Sequence, residues 1–217
     1  MITRIYHIIR KDCMVELRQK HAISGILLFA LTAVFIVFKS FNTFTAQEWA
    51  LLLWILVLFS GVNAIVKSFI QEDRGTYLYY YTLLDPVEVI VARLIYNFLL
   101  CILLFSVILG AMTLFSGFPV RNVSLFFLSA LLGILGISVV YTMVSALAST
   151  AGQSGTLMSI LSLPLVLPVL LLLIKTTAVS LGLISDTSIG TELMMLGAID
   201  GLLLSICLLL FPMVWKS

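Results

Sequence analysis

Residues 94–115 read LIYNFLLCILLFSVILGAMTLF. Not one of these 22 residues is charged. As a helix rising about 1.5 Å per residue they span roughly 33 Å, close to the ~30 Å hydrocarbon thickness of a bilayer. Apolar and polar residues do not alternate here, so a barrel strand is excluded. A helix pairs its backbone groups within itself, as lipid demands. Five further apolar runs flank this one, at roughly 22–38, 50–69, 123–148, 157–179 and 193–214. The chain has 217 residues, 62% hydrophobic and 10% charged. Soluble domains average about 45–50% apolar and about 25% charged. The composition excludes a soluble globule, a disordered chain and a secreted disulfide scaffold. The expectation is an all-α polytopic membrane protein with six transmembrane helices in one domain, residues 1–217.

Charge sets the expected orientation. Arg4, Arg10, Lys11, Arg18, Lys20, Lys67, Arg74, Arg93 and Lys216 fall on one side of such a six-span chain; Lys39, Arg121 and Lys175 fall on the other. The basic excess marks the cytoplasmic side, which puts both termini inside. The run at 22–38 ends Phe38-Lys39-Ser40-Phe41 without a small-x-small cleavage site, so it reads as retained. Residues 1–21 read as an amphipathic interfacial helix. Ile2, Ile5, Tyr6, Ile9, Cys13 and Leu17 share one face, and Arg4, Lys11 and Arg18 recur opposite, with Glu16 able to pair with Lys20. Such a helix lies on membrane lipid; a net charge of +2 offers nothing to nucleic acid.

Residues 70–93 form the one substantial loop expected on the cytoplasmic side. Glu72, Asp73, Gly75, Thr76, Leu78, Tyr81 and Leu84 lie in it, with tyrosines at 77, 79, 80 and 81. Gly75 suits a helix end. Residues 76–84 are long enough for two turns on the membrane surface. Asp85 is placed to cap the next helix, with Pro86 in its first position and Glu88 completing a capping box. Small residues recur four apart (Ser129 and Gly133, Ser145 and Ser149, Ala148 and Gly152, Ala151 and Gly155), a spacing that lets helices approach closely. Pro164 and Pro168 interrupt the fifth run and read as structural kinks or a moving pivot. Asp200 is an acid inside an apolar run, either in the bundle interior or near the outer surface.

Several chemistries lack their residues. There is no G-x-x-x-x-G-K-[ST] phosphate loop, no C-x-x-C-H and no H-E-x-x-H. Cys13, Cys101 and Cys207 are far apart and read as small hydrophobes. His7 and His21 both fall on the expected cytoplasmic side, and no serine sits in a triad-like pattern. The reading is a protein without catalytic residues or a metal site.

The stretch Leu157-Met158-Ser159-Ile160-Leu161-Ser162-Leu163-Pro164-Leu165-Val166-Leu167-Pro168 resembles the apolar L-P-L-x-x-P run of the haem exporter protein B (CcmB) family, permeases of type-2 ABC exporters. Glu72 to Pro86 is similar to that family's acidic, Gly-Ser/Thr, Pro-terminated loop, and Asp12 to Arg18 to its D-x-x-x-E-L-R start. Asp200 and Leu210-Phe211-Pro212 match more weakly. The chain departs at Tyr77 and Leu78, where an acid is common, and at Ala151-Gly152-Gln153-Ser154, where the family is often basic.

The resemblance implies a multi-pass protein of the bacterial cytoplasmic (inner) membrane, acting in c-type cytochrome biogenesis. A separate ATPase (CcmA-like) would bind ATP and dock under residues 72–86 and the N-terminal helix. CcmC-like, CcmD-like and haem-chaperone CcmE-like partners would handle haem, and the permease would pair with a second copy. ATP-driven motion would then export haem or release the haem-loaded chaperone. With no histidine expected at the outer face, an axial ligand for haem iron has to come from another subunit. An exporter permease for lipid or polysaccharide and a membrane scaffold without an ATPase are the alternative readings.

Overall fold

The computed structural model describes residues 5–11, 14, 20–40, 45–70, 85–150, 154–184 and 189–215. Those residues form six long helices and a short helical stretch over 5–11, with no strand among the described residues. The helices are α1 (Lys20–Ser40), α2 (Ala46–Ile70), α3 (Pro86–Ser116), α4 (Val123–Thr150), α5 (Ser154–Ser180) and α6 (Ile189–Trp215). Each coincides with one of the apolar runs. Five contain segments long and apolar enough to cross a membrane: Ala46–Ile65, Pro86–Ser116, Val123–Ala148, Ile160–Ser180 and Ile189–Pro212. The corresponding apolar stretch of α1 is shorter, Leu27–Lys39.

Consecutive helices run in opposite directions. Phe115 near the end of α3 packs on Phe35 and Phe38 near the end of α1, and Trp49 at the start of α2 packs on Phe118 and Phe126. This aromatic end of the bundle also holds the α3–α4 connection and the end of α5. There the backbone N–H groups of Arg121 and Asn122 both donate to the Ser180 carbonyl, at 3.1 and 2.9 Å. The opposite end, here called the elbow end, receives the last turn of α2 and the first of α3.

Helix α4 is the centre of the packing and touches α2, α3, α5 and α6, whereas α1 lies outside against α2 and α3. The reason is in its sequence. Gly133 and Gly136 are buried on α4, and a Cβ added at Gly133 would lie 2.5 Å from Leu173 of α5. Where lipid gives no hydrophobic push, such close approach is the source of helix attraction. Polar side chains add directed bonds. Trp54 Nε1–H donates to Thr177 Oγ1 at 3.0 Å, joining α2 to α5. Tyr141 O–H donates to the Leu58 carbonyl at 3.0 Å, joining α4 to α2, and its ring fills the space left by Gly61. The outward faces stay apolar: Leu28 and Ile36 on α1, Leu163 and Leu171 on α5, Leu202 and Leu209 on α6 are all exposed. A soluble monomer rarely shows so much contiguous apolar surface; a lipid-facing protein must.

The third helix begins at Pro86, as the Asp85-Pro86 pair predicts, and at 31 residues it is longer than the fourth because it extends beyond the apolar run that starts at 94. Its rise of about 46 Å exceeds the hydrocarbon thickness, so it extends past the apolar slab or tilts. One expectation about this frame changes: the capping box lies at α2 instead of α3. Thr45 N–H donates to Glu48 Oε2 at 2.8 Å, and Glu48 N–H donates to Thr45 Oγ1. Asp85 does occupy the N-cap position of α3 with Pro86 following, but its side chain makes no cap hydrogen bond.

Candidate functional site

The expected coupling elbow lies largely outside the described residues: Glu72, Asp73, Gly75, Thr76, Leu78, Tyr81 and Leu84 all fall there. Its exit is described. Asp85 is exposed in extended backbone, and Pro86 opens α3 with a fixed φ that suits the first helical turn. From this exposed start the helix dives at once into the bundle. Glu88, Val89, Ile90, Ala92 and Arg93 are all buried, and burial continues in a stripe to Met112. Asn97 Nδ2–H donates to Thr142 Oγ1 at 2.9 Å, and Thr142 O–H in turn donates to the Ser138 carbonyl at 2.7 Å. A displacement of the Pro86 end therefore meets α4, the centre of the packing, through one continuous helix and a buried polar link.

Of the interfacial-helix residues, Arg4, Glu16 and Arg18 lie outside the described residues. Lys11 is helical and half-buried. Within 5–11 the buried side chain is Ile8, which the expected apolar face did not include, and Tyr6 is exposed with its ring edge-on to His7 at 5.8 Å.

The expected pivot residues divide. Gly152 lies outside the described residues, and Gly155 is helical without a described side chain environment. Pro164 and Pro168 both sit inside an unbroken α5 on its exposed face. The buried stripe of α5 is Ser162, Val166, Val169, Leu173 and Thr177 instead. The prolines thus remove backbone bonds on the outer side and leave the packed side intact. Ser129 and Gly133 are buried, as their spacing suggested.

Asp200 is placed in the interior: it is 3% exposed, and neither carboxyl oxygen has a hydrogen-bond partner among the described residues. It faces Gly136 of α4, beside Val169 of α5. Sequence reading did not single out Gly136; a glycine in mid-helix opposite an acid was the available signal. Nearer the aromatic end Lys175 of α5 pairs with Glu192 of α6. Glu192 is buried while the lysine side chain is 47% exposed, so the pair ties two helix ends at the rim of the bundle. No group of three or more His, Cys, Asp or Glu side chains able to hold a metal occurs among the described residues.

The arrangement is a membrane bundle whose polar groups join helices to one another. No curated protein matches the chain. The family model described as CcmB protein matches residues 3–214, nearly the whole length, so the chain belongs to the CcmB family, the membrane permease component of the haem exporter of cytochrome c maturation.

Proposed function

We propose that this chain is the membrane lever of an ATP-driven complex in c-type cytochrome biogenesis, worked by a CcmA-like ATPase docked at the elbow end. In this reading α1 is a sixth crossing, both termini and residues 70–93 face the cytoplasm, and the membrane is the bacterial inner membrane. The basic residues at the elbow end support that orientation. The observation that carries the mechanism is the geometry of α3. It leaves the elbow at the exposed Asp85 and half-buried Pro86, carries buried side chains from Glu88 onward, and is bonded to the central α4 through Asn97 and Thr142.

Nucleotide closure of two ATPases would press the elbows of two paired permeases, a symmetric assembly of the commonest kind. The bundle then shifts because nucleotide favours one packing over the other. Pro164 and Pro168 serve as the yielding side of α5. The output is haem export or release of a haem-loaded CcmE-like chaperone, with CcmC-like and CcmD-like partners at the outer face. The two histidines, His7 and His21, fall before α1 and in its first turn, and neither falls in a segment expected at the outer face. That placement favours release of the loaded chaperone over direct ligation of haem by this subunit.

The test is to purify the tagged chain in mild detergent and assay ATP hydrolysis. An ATPase should co-purify, and Gly75→Ala or Pro86→Ala should leave hydrolysis running while holocytochrome c falls. Normal cytochrome levels in both variants would remove the elbow from the mechanism. Absence of any ATPase would remove the lever itself.

A further inference from the structure

Buried carboxyls are stabilised by partners, and Asp200 has none among the described residues. It sits in the twelfth position of α6, about 16 Å from the start of that helix, deep within the Ile189–Pro212 segment. Its side chain enters the junction of α4, α5 and α6. The α4 backbone is shaped around it: a Cβ placed at Gly136 would collide with Asp200 Oδ1 and would lie 3.0 Å from Val169 Cγ1. The nest is therefore formed by a glycine and an aliphatic side chain, and no donor reaches either oxygen.

The elements packed against α6 supply no counter-charge there. α4 carries one ionisable side chain, Tyr141, and its hydroxyl is turned to Leu58 of α2. α5 carries Lys175, which is engaged by Glu192 about two turns nearer the aromatic end. α3 carries Glu88 and Arg93 in its first three turns at the elbow end, with Tyr96 and Cys101 further along. α6 itself adds Glu192 and Cys207, about two turns away on either side.

An ionised carboxylate held dry, without a donor or a cation, is among the least favourable arrangements in a protein. A metal cation is excluded as the missing partner, because Ca²⁺ or Mg²⁺ needs about six oxygen ligands and this site offers one carboxyl. A proton needs no further ligand and leaves the carboxyl uncharged, which suits a dry nest lined by Gly136 and Val169. We propose that Asp200 is a proton-binding site within the membrane-embedded core, occupied in this packing and emptied when α4, α5 and α6 separate enough to admit water. Proton occupancy and helix packing are then linked in both directions, as any ligand and conformation are. The site stands on this chain alone; its coupling to nucleotide rests on the lever reading.

Infrared spectroscopy of the chain with its ATPase in lipid nanodiscs reads the proton directly. The expected result is a protonated-carboxyl C=O band at neutral pH that shifts when the aspartates carry ¹³C. Asp200→Asn removes it, and trapping the complex with ATP and vanadate weakens it. The label is placed in this chain alone, which has five aspartates; Asp200→Asn assigns the band to residue 200, and Asp200→Glu, which keeps a carboxyl, is expected to retain a protonated band that no longer shifts with the label. A spectrum without an isotope-sensitive protonated band overturns the proton site; a band that is present but unchanged by trapping overturns its coupling to nucleotide. Co-purification of the ATPase is scored first and separately. Its failure would remove the lever reading and leave the aspartate band to be judged in the chain alone.

Discussion

At Gly136, a single added methyl group would strike the Asp200 carboxyl, and at Gly133 it would strike both methyls of Leu173. At Gly110 it would meet nothing within 4 Å. These three mid-helix glycines look alike in sequence and differ in what faces them. Gly136→Ala is expected to lower stability by about 1–3 kcal/mol through overpacking. Gly110→Ala should instead gain up to about 1 kcal/mol, since alanine restricts the unfolded chain and fits the helix. Thermal unfolding of the two variants in the same detergent checks the opposite signs. The contrast also shows why close-packing glycines were only partly visible beforehand. A small residue four positions from another marks a face, as at Ser129 and Gly133, but the partner side chain comes from a helix far along the chain.

At the scale of elements, the helix ends carry different devices. α2 begins with a reciprocal box between Thr45 and Glu48, and α3 begins with Asp85 whose side chain makes no cap bond. Thr45→Ala should therefore cost about 1 kcal/mol, and Asp85→Ala distinctly less. Amide hydrogen exchange in the first turns of α2 and α3 separates the two. Both starts match the same pattern of a short polar residue followed three positions later by Glu. The pattern tells where a helix starts; whether the side chain turns inward to bond depends on what surrounds it, and Glu88 at α3 is buried where Glu48 is exposed. At the other end of α5, Gly182 N–H donates to the Val179 carbonyl and Leu183 N–H to the Ala178 carbonyl, the paired bonds of a Schellman stop. Gly182 has φ +74°, and a Cβ there would lie 2.7 Å from Arg121 Cδ. Gly117 ends α3 at φ 79° and ψ −177°, a region open essentially to glycine alone. Alanine at either position is expected to cost about 1–3 kcal/mol, read as a lower unfolding midpoint.

For the whole molecule, the alternation of the helices makes an orientation test simple. Arg121 at the aromatic end and Asp85 at the elbow end are both exposed. Cysteines placed at these two positions, in a chain freed of its own cysteines, should react with an impermeant maleimide from opposite sides of the membrane. A cysteine at Thr45 should behave like the one at 121, and a cysteine at His7 like the one at 85 if α1 crosses. Labelling of position 85 from outside would invert the lever and detach it from any cytoplasmic ATPase. By itself, the sequence determined that the chain is all-helical and lipid-embedded, how many apolar segments it has, and which ends of them are basic. These are one-dimensional properties, set by the length of apolar runs and the positions of Lys and Arg. The tertiary structure alone decided that α4 is the centre, that the prolines of α5 face outward, and that Asp200 lies inside rather than at a surface. An apolar helix in lipid has no polar face to announce which side is buried, so that choice is made by the shapes of neighbouring helices, and shape complementarity between distant segments exists only once they meet.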